Sequence, residues 1–239
     1  MFRFRNFGMV AACGLVLSFA ASSSLATQIE LKDSALGKPL VLDEEADYVL
    51  RKVVVTGLTD CAAITLAGRI ASVTLEGCTF GQVWTGVEGH AAGIECAGAM
   101  ISRLVARDTT FFDAENQLAS LKDGSFGLVT FERCRFYTSE SFLKRIYTDN
   151  PWRTTPPVTE FYNIERLELL DNEYSNTVVI IHPSVKQVVI RGELPGLKVS
   201  DEHETEVIRL NPGEMPADRA PAATGLVAQL EAMLERVSG

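Results

Sequence analysis

The chain has 239 residues, 46% of them hydrophobic, and its 31 acidic side chains outweigh 22 basic ones for a formal charge of −9. That balance excludes nucleic acid and anionic membrane surfaces as electrostatic partners. The apolar content suffices for one good core, and no apolar run predicts a stable membrane span.

The first six residues carry two positive charges, Arg3 and Arg5, and an apolar run follows from Phe7 to Ala21. Ser24-Leu-Ala26 then places small residues where a signal peptidase reads. This layout predicts a secretory signal peptide over 1–26 and a periplasmic or secreted mature protein. Loss of Arg3 and Arg5 takes the charge to −11. Val10-Ala-Ala-Cys13 loosely resembles a lipoprotein cleavage box, but the apolar run continues beyond Cys13. Cys61, Cys78, Cys96 and Cys134 survive processing, and an oxidising compartment allows them to pair.

Residues 28–50 read as a lead-in with two short apolar pieces around Asp43-Glu-Glu-Ala-Asp47. That acidic cluster lacks the Gly-centred spacing of a calcium loop and reads as a solvated turn. One phrase then recurs. Val73-Thr-Leu-Glu-Gly-Cys-Thr-Phe80 and Val129-Thr-Phe-Glu-Arg-Cys-Arg-Phe136 are nearly the same, and Leu104 to Phe111 and Leu167 to Tyr174 are looser versions. Each is apolar, any, apolar, any, turn residue, small residue, any, aromatic: a short strand running into a corner. Phrase starts are placed at Val53, Val73, Leu104, Val129, Leu167 and Val188. Such recurrence without helical pattern between is the mark of stacked strands with loops inserted at the rim.

The phrases VTLEGCTF, VTFERCRF and LELLDNEY resemble the coil repeat of the right-handed parallel β-helix, the pectate-lyase-like architecture. The resemblance implies an all-β solenoid over residues 27–210. Gly77, Asp108, Arg133 and Asp171 stand at the corner where that family prefers Asn. Strand alternation sends Val73 and Leu75 one way and Thr74 and Glu76 the other. Cys78, Thr109, Cys134 and Asn172 should then stack as small inward residues, with Phe80, Phe111, Phe136 and Tyr174 as an aromatic file beyond them. With the Thr109 rung between them, Cys78 and Cys134 lie roughly 9 to 10 Å apart, too far for a disulfide. Cys61 and Cys96 fall outside the phrase, and their pairing stays open.

Two stretches depart from the pattern. Gly81 to Gly98 is Gly-rich and carries Trp84, Glu88, His90 and Glu95; Tyr137 to Asn163 is longer and polar, with Lys144, Arg145, Asp149, Trp152 and Arg153. The prolines around Trp152 favour an extended loop, while Ser141 to Tyr147 suits a helical turn or a strand. Residues 211–223 read as a Pro/Ala linker. Thr224 is a plausible N-cap for an amphipathic C-terminal helix over 224–239, with Val227, Leu230, Leu234 and Val237 on one stripe. So short a helix must dock, either over the open last coil or on another subunit, which would make a homo-oligomer.

Chemistry on sugars would need paired carboxylates or a base with a cation. The candidates by location are Glu88, Glu95, Asp149, Glu160, Lys144, Arg145 and Arg153, and no spacing among them specifies a site. His90, His182 and His203 are scattered and predict no metal site. No phosphate-cradling loop or nucleophile elbow is present, and no cofactor is expected. The tryptophans in the two departures are the sharpest candidates: a ring on a loop offers a flat face to a sugar, with Lys144, Asp149 and Arg153 beside Trp152 for hydroxyls or carboxylates. Three readings follow: an exported β-helix that binds a cell-surface or environmental polysaccharide through Trp84, Trp152, Arg153, Lys144 and Asp149; a non-catalytic structural or adhesion scaffold with protein partners; and a polysaccharide lyase or glycoside hydrolase.

Overall fold

The repeated phrase stacks in space in the predicted register. Val73, Leu104, Val129, Leu167 and Val188 are direct partners on successive strands. The computed structural model describes residues 27–86, 89–194, 198–199 and 205–216. Among these the chain is mostly β, in a 12-stranded and a 6-stranded sheet, and every pairing is parallel. The signal segment 1–26, most of the linker and the helix expected over 224–239 lie outside the described residues. Parallel strands need a crossover, and here the short strands of the second sheet supply it between rungs of the first.

Three long strands, Cys61–Glu76, Ala91–Arg107 and Gln117–Glu132, each contribute to two runs of the large sheet. Gly68 and Gly98 adopt positive φ where the first two bend, and the register slips there. Beyond the third, separate strands take over: Val158–Phe161 and Val178–Ile181 on one run, Ile164–Leu170, Gln187–Arg191 and Glu206–Arg209 on the other.

The corner after each phrase is the left-handed region. Asp33, Lys52, Gly77, Asp108, Arg133, Asp171 and Gly192 have φ of 47, 52, 61, 49, 51, 53 and 94°. At the first six the N–H crosses to the next rung, as from Lys52 to Glu76 O at 2.8 Å and from Arg133 to Leu170 O at 2.8 Å. Glycine enters that region freely and Asn or Asp at small cost, whereas other L residues clash there. Arg133 recovers something by donating Nε and Nη2 to the two carboxylate oxygens of Asp108, both at 2.8 Å. Lys52 is exposed; Gly77 on the next corner offers it no side chain, and it makes no ion pair with Asp33 on the corner before. Lys52→Gly is therefore expected to raise stability by up to about 1 kcal/mol, read as a higher urea midpoint.

The register corrects the predicted start of the repeat. The partner of Val73 is Tyr48, not Val53, and the partner of Tyr48 is Ile29. Val53 occupies the position of Cys78, since Thr79 N donates to Val53 O and the corner before each is Lys52 and Gly77. The lead-in is thus two further rungs. The second was hidden because Tyr48 opens the phrase in place of an aliphatic residue and Val55 closes it in place of an aromatic one, and the first because Leu36 stands in the aromatic slot. Likewise the Gly-rich departure is short: residues 79–84 and 91–107 are strands, so Trp84 ends a strand.

The interior files form as expected. Phe80, Phe111, Phe136 and Tyr174 stack at 5.7, 5.1 and 5.3 Å between ring centroids. Beside them Cys134 N donates to Asn172 Oδ1 at 2.8 Å, and the Cys78 and Cys134 thiols donate to Leu50 O and Ala106 O. The four cysteines among the described residues, Cys61, Cys78, Cys96 and Cys134, are all free. Cys61 pairs with Ala91, five residues along the strand from Cys96, so about 16 Å separates them.

Burial pushes the Cys134 thiol up to about 12 and raises Cys78 and Cys96 as well. A thiol whose folded value lies above its unfolded value contributes stability that is complete below about pH 8.5 and is lost as pH climbs towards 12. In the native protein at pH 8 these three thiols should resist a disulfide reagent, then react in full once urea unfolds the chain.

Candidate functional site

The single helix among the described residues, α1 (Glu140–Asp149), fills the longer insertion and resolves the ambiguity of that stretch. Ser139 caps it, its Oγ accepting from Phe142 N at 3.4 Å, with Glu140 in the first turn. Asp113 fixes the cap in turn: its carboxylate accepts from Ser139 N at 2.7 Å and from Ser139 Oγ at 2.9 Å. Asp113 can do this because it sits at φ 46° within its strand, in line with Gly57 at 75° and Gln82 at 51°. These three break the alternation of the small sheet and aim the Asp113 side chain at the helix.

Phe142 and Ile146, four residues apart, are the buried stripe of α1. Phe142 stacks on Trp84 at 3.9 Å with 30° between planes, and the Arg145 guanidinium lies 3.8 Å from the Trp84 ring centre. Trp84 is therefore the seat of the helix. A cleft of about 460 Å3 opens beside this contact, lined by Gln82, Trp84, Asp113, Ser139, Phe142 and Arg145 among others.

The exposed side of α1 carries Lys144 and Arg145, the latter donating to Asp149 at 3.4 Å. The chain then turns, with Arg153 N donating to Asn150 O at 3.0 Å. Arg153 is half-buried and donates Nε to Thr155 O at 3.1 Å; desolvation pushes its pKa down despite the charge of nearby Glu115. Between Arg153 and the helix end stands Trp152, 90% exposed. All five residues predicted to bind ligand thus lie on α1, in the turn after it, or beneath it. They divide into two roles. The Trp84 ring is engaged from within, while the Trp152 ring is open.

A second constellation lies on the outer face of the large sheet. Thr65, Glu95, Ser120 and Glu160 are successive register partners. Glu95 accepts from Thr65 Oγ at 3.0 Å and pairs with His90 Nε2 at 2.6 Å; Ser120 Oγ donates to Glu160 at 2.6 Å. The two glutamates stand two rungs apart, about 9.6 Å between backbones. Glu88 lies outside the described residues. No group of three or more His, Cys, Asp and Glu side chains among the described residues could hold a metal ion. Nor is any described helix long and apolar enough to cross a membrane.

Sequence reasoning missed Asp113, Gln82 and Ser139. A usable signal existed for Ser139, a capping residue three before Phe142 and seven before Ile146. Asp113 carried none, because its left-handed conformation falls inside the strand Thr110–Ala114 and not at a corner that the repeated phrase marks. Comparison with protein families, with characterised proteins and with solved structures found no match to this chain.

Proposed function

We propose that this is an exported right-handed parallel β-helix that binds a cell-surface or environmental polysaccharide at the α1 patch. The stacked parallel rungs support the architecture, and parallel crossovers take the right-handed sense almost without exception. The signal segment read at 1–26 supports export. One observation carries the binding reading: Trp152 is 90% exposed in the turn that follows α1, next in the chain to Arg153 and just beyond a helix that carries Lys144 and ends at Asp149. An aromatic face takes up the apolar face of a sugar ring, and flanking charges accept or donate to its hydroxyls and pair with uronate groups. Quenching or a shift of tryptophan emission on titration with oligosaccharides tests it, and an unmoved spectrum across a broad glycan set counts against it.

A second reading, hydrolysis or elimination on the same polymer, is favoured by Glu95 and Glu160 sharing one outer file. Carboxylates about 6.5–9.5 Å apart leave room for the water of an inverting hydrolase. It predicts release of reducing ends or of unsaturated sugars, abolished by Glu160→Gln while glycan binding at α1 persists. Release that survives Glu160→Gln would remove these glutamates from the chemistry.

A further inference from the structure

The stack of rungs has an open end. Among the described residues no strand pairs with the far edge of Thr27–Lys32, Ala35–Leu36 or Leu40–Leu42, which together make the first rung. The interior side chains of that rung, Ile29, Leu31, Leu36 and Leu40, are only partly buried. Their partners one rung on, Tyr48, Leu50, Val55 and Ile64, are exposed by 4% or less. A cleft of about 550 Å3 opens at this end, lined by Ile29, Leu31, Leu40, Leu42, Tyr48 and Leu50 among others. It is concave, apolar and of the size that binding pockets take, about 300–1,000 Å3.

The backbone at this end is ready to pair. Asp33 N donates to Arg51 O on the second rung at 2.9 Å, so by strand alternation the backbone groups of Ile29 and Leu31 address that rung too. Those of Gln28 and Glu30 then point the other way, off the end of the sheet. The strand carries none of the devices that close an edge. It has no proline, no bulge in its six-residue register with Ala46–Arg51, and no charge at its inward positions Ile29 and Leu31. Charge adds a direction. Asp43-Glu-Glu45 leads into Ala46, the register partner of Thr27, so this acidic corner stands at the Thr27 end of the edge. Glu44 N donates to Tyr48 Oη at 3.0 Å, which ties the corner to the cleft. Glu45 pairs with Arg69, whereas Asp43 and Glu44 are exposed at the cleft and have no basic partner among the described residues.

We infer that this end docks an extended peptide segment of another protein, added as one more strand along Thr27–Lys32. Three features define its chemistry. Its backbone pairs with Gln28 and Glu30; bulky apolar side chains at alternate positions enter the cleft over Ile29 and Leu31; and a Lys or Arg at the end lying over Thr27 meets Asp43 and Glu44. A free apolar molecule would fill the cleft but leave the edge unpaired. A second copy would set hollow against hollow and leave both clefts unfilled. The site shares no residue with the α1 patch and is independent of the glycan reading.

Fluorescence anisotropy on the full chain tests this with labelled hexapeptides Arg-Thr-X-Thr-X-Thr, in which X is Val, Ile, Leu, Phe or Tyr. Each is compared with its isomer Arg-Thr-Thr-Thr-X-X, which has the same composition but adjacent apolar residues. At least one alternating peptide is expected to bind at least about tenfold more tightly than its isomer, since only alternation puts both side chains on the cleft side. Gln28→Pro removes an N–H that makes no ladder bond, so the β circular dichroism should hold while binding weakens at least about tenfold. Should that variant disturb the sheet, Asp43→Asn with Glu44→Gln carries the test, weakening the Arg-led peptide about fivefold and removing its advantage over a Glu-led one. Four results overturn the inference. They are no binding by any alternating peptide, equal binding of the isomers, binding untouched by these variants, and a dimer of the full chain that Gln28→Pro dissociates, which would give the edge to a second copy.

Discussion

Replacing Phe111 by alanine is expected to remove about 3–5 kcal/mol of stability, more than any other single truncation of the aromatic file. Phe111 is fully buried and stands at the centre of the file, stacked on Phe80 at 5.7 Å and on Phe136 at 5.1 Å, with Phe131 edge-on at 5.9 Å. Its loss opens a cavity that two neighbouring rungs share, and the parallel backbone cannot collapse to fill it without breaking register. Phe112 provides the contrast. It points outward and stacks on Tyr137 at 5.6 Å, only half-buried. Phe112→Ala should cost about 1 kcal/mol or less. Urea unfolding of the two variants checks this, and equal losses would contradict the assignment of inward and outward faces.

The second large effect separates the two tryptophans. Trp152→Ala should weaken binding of the cognate glycan by about 2 kcal/mol, roughly thirtyfold, with the melting temperature unchanged, because the ring touches little of its own protein. Trp84→Ala should behave differently. It removes the surface on which Phe142 and Arg145 rest, so α1 loosens and stability and binding fall together. Asp113→Asn is an intermediate case, weakening the hold on Ser139 while leaving both rings in place. A Trp152→Ala variant that melts early would show that the ring is structural after all.

The rung phrase was legible because it encodes burial directly: Val129, Phe131, Cys134 and Phe136 each fill a fixed slot, and the register confirms every one. The first two rungs were not: Tyr48 and Val55 exchange the aromatic and aliphatic ends of the second, and Leu36 fills the aromatic slot of the first. The slots tolerate either because only volume and polarity matter there. At the candidate site, Trp152 and its charged neighbours could be named from a Pro-rich loop, but the meeting of Trp84 with α1 could not. That contact joins residues 84 and 142 across four intervening strands of the chain, and its director, Asp113, depends on a φ of 46° inside a strand, where the sequence pattern marks no corner. The same limit applies to Glu95 and Glu160. Both were candidates singly, and only the register places them on one file with Ser120 between.

The most direct test of the functional account is a glycan array probed with the full chain and with Trp152→Ala in parallel. The account predicts retention of at least one class of polysaccharide by the parent protein and its loss from Trp152→Ala, with the two proteins melting alike. No retained glycan on a broad array, or the same glycans held equally by both proteins, would contradict it.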